Sequence, residues 1–463
     1  MAVLAIRRSP TRLWQRVAML FAIGVTALIA QPAEAQSVLR DAETEALFRD
    51  IAAPLAEAAG LRVGDLKIVL VQDDEINAFV IGGQTVYVNS GLITKADNVN
   101  ELQGVVAHEV GHIAGGHVMR SAEGIRTATG ISILSLVLGL AAMFAGAGEA
   151  GMGVMAAGQQ AAMGSVLAFT RTQESSADQA GATFLSHAGI SGRGFLQFFG
   201  KLQNMEYRLA VPQENSYART HPLNSERIAA LQARLSADPA WDRPTPPTLE
   251  ERFQRVKAKL AGYTEPPERV FREFPESNRT VPGRYARAYA WHRSGHPEQA
   301  LAEADSLIVS DPHDPYFLEL KGQILLEVGR PAEALTILRE AVERSRNEPL
   351  IAALFGHALM ATEDPANNAE AERVLRVAVA RDQENPFAWY QLGVVYDQEG
   401  DMGRAALASA ERYSLTNQPQ LALASAQNAM GGLTANTPDW IRAQDIVMAS
   451  RAELERTGRH RRR

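Results

Sequence analysis

Three prolines and three glycines frame the C-terminal half of this chain. Pro315, Pro349 and Pro386 each precede a stretch of helical apolar spacing, and Gly322, Gly356 and Gly393 follow them seven residues later, so both markers recur at intervals of 34 and 37 residues. A unit of that length cannot bury an apolar face alone. It must stack its helices on those of its neighbours, which predicts an α-solenoid over residues 283–455 with three to five repeats.

The last unit, Trp389-Tyr390-Gln391-Leu392-Gly393-Val394-Val395-Tyr396 followed by Gly400-Asp401 and Ala405, matches the W-x-x-L-G-x-x-Y pattern of the tetratricopeptide repeat. An earlier unit carries Gly329-Arg330-Pro331 with Ala334 and Ala341. Small residues let paired helices approach closely, and aromatics fill the gaps between neighbouring pairs.

The remaining chain is too long for one further simple element, and 463 residues predict two or three domains. Residues 1–35 read as a signal peptide: Arg7, Arg8, Arg12 and Arg16 precede an apolar run from Val17 to Ala30, and Ala33-Glu34-Ala35 supplies an A-x-A site with cleavage after Ala35. The apolar run is short for a membrane span. Cleavage removes four Arg and one Glu and moves the formal charge from −7 to −10. An acidic protein of this kind is not built to bind nucleic acid. The basic tail, residues 456–463, is the local exception and reads as a solvated end. With 46% hydrophobic and 21% charged residues the composition is globular. There is no cysteine, so disulfides are excluded and any metal must be held by His and carboxylates.

Residues 36–240 form the other predicted domain, and residues 241–282, rich in proline and charge, form a linker with one helix from Leu249 to Leu260. Within 36–240, Leu47, Ile51 and Leu55 mark an amphipathic helix, and Leu66–Val71 and Gln84–Asn89 read as strands. A helical pattern resumes at Asn98 and carries His108-Glu109-Val110-Gly111-His112 in its middle. Residues 131–157 are almost free of charge and broken by glycines, which predicts an apolar helical hairpin that packs over the core or faces a membrane.

On a helix, His108 and His112 are about 400° apart, so both imidazoles reach one zinc ion. Glu109 stands beside them, placed to hold a water and take its proton while the metal polarises a scissile carbonyl. A third ligand must come from downstream. Glu174 and Asp178, again four apart, supply a carboxylate ligand and a partner for a ligand histidine that sets its tautomer. ExxxD alone is a weak motif, and it gains weight only after HExxH. His117, five residues beyond His112, falls at about 500° and is assigned a surface or packing role.

Together these residues resemble a known family. Ile76-Asn77-Ala78-Phe79, Val86-Tyr87-Val88 leading to Gly91-Leu92, HEVGHIAGGH, the Glu174–Asp178 segment and Thr220-His221-Pro222 with Arg227 are similar to the zinc peptidases that include HtpX and the CAAX prenyl proteases. The resemblance covers residues 40–235, and the signal peptide and repeats extend it over the chain in the BepA-like arrangement. It implies a mainly α fold, a gluzincin-type domain with a small sheet ahead of the solenoid. One Zn2+ per chain is implied on His108, His112 and Glu174, with Glu109 as general base. It also implies that His221 occupies or vacates a fourth zinc position, with Arg227 as its partner in a catalytic loop. Strand Thr85, Val86, Tyr87, Val88 and Asn89 is expected along the cleft, where an extended peptide adds as a neighbouring strand.

The function expected is a periplasmic zinc endopeptidase in quality control and assembly of outer-membrane proteins. Its substrates would be misfolded or stalled polypeptides, its repeats would meet the assembly machinery, and contact with the membrane would be peripheral. The competing reading is a chaperone-like assembly factor with a normally latent peptidase. A membrane-integral protease would need spans that this sequence is expected to lack.

Overall fold

The computed structural model describes residues 37–144, 148–209 and 221–460. The expected signal-peptide segment, residues 145–147 of the predicted apolar hairpin, Thr220 and the tail residues 461–463 therefore lie outside the described residues. The chain is mainly α with one small sheet.

Strand β1 (Ser37–Leu39) leads into helix α1 (Ala42–Ala58), which starts where the Asp41 carboxylate accepts from Thr44 N–H. Strands β2 (Lys67–Gln72), β3 (Ala78–Val80) and β4 (Thr85–Asn89) complete a sheet of order β1-β2-β4-β3. β4 pairs parallel with β2 from Lys67↔Thr85 to Val71↔Asn89, and antiparallel with β3 from Ala78↔Val88 to Val80↔Val86. This corrects the expectation that Thr85, Val86, Tyr87, Val88 and Asn89 receive a peptide as a neighbouring strand. Both edges of β4 are already hydrogen-bonded, and β3 is the edge strand on that side.

After the short helix α2 (Ser90–Lys95) comes α3 (Val99–Ala114), the helix of HEVGH. Asn98 caps it by accepting from Glu101 N–H at 3.0 Å, and the Glu101 carboxylate accepts from Asp97 N–H. α3 is buried along nearly its whole length, with Leu102, Val105, Val106, Ala107 and Val110 fully inaccessible. The helix stops at Gly115-Gly116, where Gly116 takes φ +62°.

Helices α4 (His117–Phe144) and α5 (Gly148–Ala188) form the hairpin. They pack antiparallel and closely: a Cβ on Gly158 would fall 1.9 Å from Ser135 Cβ, and one on Gly139 would meet Gly151 O at 2.7 Å. The outer part exposes Ile133, Leu134, Leu136, Val137, Leu138, Met152 and Met163. α4 is long and apolar enough to cross a membrane by length and composition, and that corrects the expectation that no such helix exists. The inner part of α5 is core: Ala177, Ala182 and Leu185 are buried among residues of α1, α3 and α6 (Arg193–Leu209).

Helix α7 (Ser225–Ser236) is capped by Asn224. The connecting segment is itself packed: in α8 (Pro247–Thr264), Phe253, Val256 and Leu260 belong to the same apolar cluster as Leu102 and Val106. α9 (Pro267–Glu273) follows it.

Among the described residues, ten α-helices then complete the solenoid. They are α10 (Val281–Arg293), α11 (Pro297–Ser310), α12 (Pro315–Glu327), α13 (Pro331–Arg344), α14 (Pro349–Ala361), α15 (Asn368–Arg381), α16 (Pro386–Gln398), α17 (Met402–Leu415), α18 (Pro419–Gly432) and α19 (Pro438–His460). The three marker prolines are the first residues of α12, α14 and α16, where the absent N–H has no intrahelical partner to lose. Asp314, Glu348 and Asn385 stand immediately ahead and accept from the next free N–H groups. The marker glycines face the second helix of each pair: Gly322 meets Leu338, Gly356 meets Leu375, Gly393 meets Ala408.

A buried cluster joins the two halves. Glu43 accepts from Tyr285 Oη at 2.9 Å and pairs with Arg255 at 2.8 Å, Arg255 reaches Asp314 at 2.8 Å, and Lys259 pairs with Asp41.

Candidate metal and catalytic site

Four elements meet at one point. α3 supplies His108, Glu109 and His112, α5 supplies Glu174 and Asp178, the segment before α7 supplies His221, and α7 supplies Arg227. The close approach of α3 to α5 depends on the glycine inside the motif: a Cβ on Gly111 would stand 2.6 Å from Ala177 O. That contact brings Glu174 over the histidines.

His108 Nε2 lies 3.1 Å from His112 Nε2, 3.3 Å from His221 Nδ1 and 3.4 Å from Glu174 Oε2, and His112 Nε2 lies 3.4 Å from Glu174 Oε1. One donor atom from each of His108, His112, Glu174 and His221 falls within 4.8 Å of all the others, and all four residues are buried. His221 Nδ1 is 3.2 Å from both Glu174 oxygens, and its Nε2 is 3.5 Å from Glu109 Oε1.

Behind the donors, His108 Nδ1 lies 3.0 Å from Asp178 Oδ1. Arg227 grips Asp178 with Nε and Nη2 at 2.7 and 2.8 Å, reaches Glu174 at 3.2 Å, and donates Nη1–H to Pro222 O at 2.7 Å. The local sequence builds that grip: Asn224 accepts from Arg227 N–H at 2.8 Å, so the guanidinium starts from the first turn of α7.

The electrostatics follow from burial. Burial acts to lower His108, but the Asp178 and Glu174 carboxylates outweigh it and hold the imidazole up at about 10. Burial and then the neighbouring His108 push His112 down to about 2, so it stays neutral. Glu109 is raised, chiefly by burial, with His221 and His108 opposing. Glu174 and Asp178 are lowered although burial opposes it, because histidines and, for Asp178, Arg227 favour their charged forms.

The residues present fit a zinc ion. The donors are three imidazoles and one carboxylate with no sulfur. Three buried carboxylates, Glu109, Glu174 and Asp178, face one buried guanidinium and the raised His108 imidazole, and Glu109 Oε1 has no hydrogen-bond partner. That is the charge deficit of a cation site.

The structure thus brings His108, Glu109, His112, Glu174, Asp178, His221 and Arg227 together. It leaves Thr85–Asn89 inside the sheet. It also places a residue that helical spacing assigned elsewhere: His117 is buried, with Nδ1 3.0 Å from His112 Nδ1. Only a helix that continued past His112 would carry His117 about 500° round, and Gly115-Gly116 ends α3 before that turn is complete.

Residues 40–235 match the model described as peptidase family M48. They are an M48 peptidase domain. Residues 285–349 and 356–422 match a tetratricopeptide-repeat model, so the chain is an M48 metalloprotease domain followed by repeats. It is 26% identical over 379 residues to a beta-barrel assembly-enhancing protease of Yersinia pestis, covering 79% of this chain and 75% of that protein. The protein of the same name from Escherichia coli K12 is 24% identical with the same coverage. The metalloprotease LoiP of that strain is 30% identical over 177 residues, covering 37% of this chain and 63% of LoiP.

Proposed function

We propose that this chain is an exported, zinc-dependent endopeptidase of the cell envelope that acts on polypeptides during assembly and quality control of outer-membrane β-barrel proteins. The observation that carries the catalytic part is the buried donor set His108, His112, Glu174 and His221 with Glu109 beside it. The envelope role rests on the relatives named for beta-barrel assembly, which align along both halves of the chain. The repeats are then the surface for assembly partners.

When bound, zinc supplies the Lewis acidity that makes water nucleophilic near neutral pH and polarises a carbonyl. Glu109 takes the proton from water and delivers it to the leaving amine, helped by a burial-raised affinity for protons. Asp178 holds the His108 tautomer, and Arg227, committed to Asp178, Glu174 and Pro222, acts as a positioning residue. Substrate backbone pairs with the edge strand β3, which packs near α3. The exposed outer half of α4–α5 rests against a bilayer, and replacing Leu134, Leu136 and Leu138 by Ser should abolish co-sedimentation with liposomes while leaving peptidase activity intact; unchanged sedimentation refutes that contact.

Glu109→Gln should lower cleavage of an unfolded protein by about 10²–10⁴-fold with zinc content unchanged. Full activity in that variant would end the catalytic assignment. His221 in the donor set favours a site that is closed at rest. If His221 is a gate, His221→Ala raises proteolysis; a fall would make it a proton or hydrogen-bond donor instead.

A further inference from the structure

We infer that His117 is a positioning residue for the second histidine of HEVGH: it accepts a hydrogen bond from His112 Nδ1–H and so holds that ring with Nε2 bare and aimed into the donor cluster. The inference rests on the metal assignment above. His112 Nε2 is the nitrogen that lies among the donors, 3.1 Å from His108 Nε2 and 3.4 Å from Glu174 Oε1. A neutral imidazole with Nε2 free to bind a cation carries its one hydrogen on Nδ1. That Nδ1 faces His117 Nδ1 at 3.0 Å, with the rings edge-on at 82° and their centroids 4.9 Å apart. His117 must therefore present a lone pair there and carry its own hydrogen on Nε2.

Its surroundings are built to hold this pose. The chain leaves α3 through Gly116 at φ +62°, which swings His117 back over the helix it follows. Gly115 leaves room for the ring, since a Cβ there would fall 2.3 Å from His117 Nε2. The backbone of His117 is tied to α5 by Gln173 Nε2–H donating to His117 O at 3.4 Å, next to Glu174. The side chain is buried. The two motif histidines are thus supported unequally. His108 is backed by a carboxylate, itself gripped by Arg227, and His112 by a neutral imidazole. Partners of ligand histidines fix tautomer and ring orientation, and losing one costs about 10–100-fold in metal affinity.

The test is zinc affinity of the full chain by competition with a chromophoric chelator, with the melting temperature of the metal-free protein beside it. His117→Phe should weaken zinc binding about 10–100-fold without lowering that melting temperature. His117→Gln, whose amide oxygen can accept the same N–H, should recover most of the loss. Wild-type affinity in His117→Phe overturns the inference, as does an equal loss in both variants. Should His117→Phe not fold, ring-nitrogen NMR of the zinc-loaded wild type decides. A coupling across Nδ1–H···Nδ1 from His112 to His117 supports it, and a protonated His117 Nδ1 overturns it. A wild-type chain that binds no zinc refutes the metal assignment instead.

Discussion

Helix α3 of the peptidase domain and the marker helices α12 and α14 of the repeats all use glycine to bring helices together, but what those glycines meet is different. In the peptidase, a Cβ on Gly111 would strike Ala177 O at 2.6 Å and one on Gly104 would strike Phe195 Cα at 2.5 Å. These are backbone atoms of another helix, and they cannot move without the helix. In the repeats, Gly322 and Gly356 meet the side chains of Leu338 and Leu375, whose rotamers can adjust. The peptidase helices are therefore locked at fixed separations, which a four-donor site needs. The helix pairs α12–α13 and α14–α15 are held at these points by side-chain packing that tolerates exchange.

Breaking the lock electrostatically should have the largest effect. Arg227→Met removes the buried guanidinium that pairs with both Asp178 and Glu174, and about 3–5 kcal/mol of stability should be lost in urea unfolding of the metal-free protein. A loss under about 1 kcal/mol would mean that the site relaxes and is not rigidly held. Gly111→Ala tests the backbone contact directly. Alanine is the better helix former by about 1 kcal/mol, yet forcing α3 from α5 should still destabilise by about 1–3 kcal/mol and lower zinc affinity, because Glu174 moves with α5. The matched Gly322→Ala should stay within about 1 kcal/mol of wild type, helix propensity offsetting the repacking of Leu338, with proteolysis unchanged. If the two alanine variants behave alike, the contrast between the domains fails.

Legibility followed the same divide. The repeat period, the HEVGH helix and the Glu174–Asp178 spacing are local patterns, and each was readable because a helix fixes which residues share a face. Sheet order is not local. Nothing within Thr85–Asn89 says that β3 folds back along it, so an interior strand read as an edge. His117 is outside the donor set, and of its surface or packing role the packing one holds, but its direction was not legible: two glycines end the helix before it and break the helical angle. Arg227 was tied to its loop by resemblance, but its grip on Asp178 joins residues 49 apart in sequence. The helix from Leu249 to Leu260 was legible in the proline-rich connection, but that its Phe253 and Val256 complete the peptidase core was not.

The cluster between the halves carries a consequence for timing. Glu43 and its partner Tyr285 are separated by 242 residues, and Lys259 and Arg255 also come long after Asp41. During synthesis the start of α1 emerges with two carboxylates destined for burial and no cation to meet them. It cannot take its final place until α8 and the first repeat helix have followed, so this junction is closed by the late-made part of the chain acting on the early one.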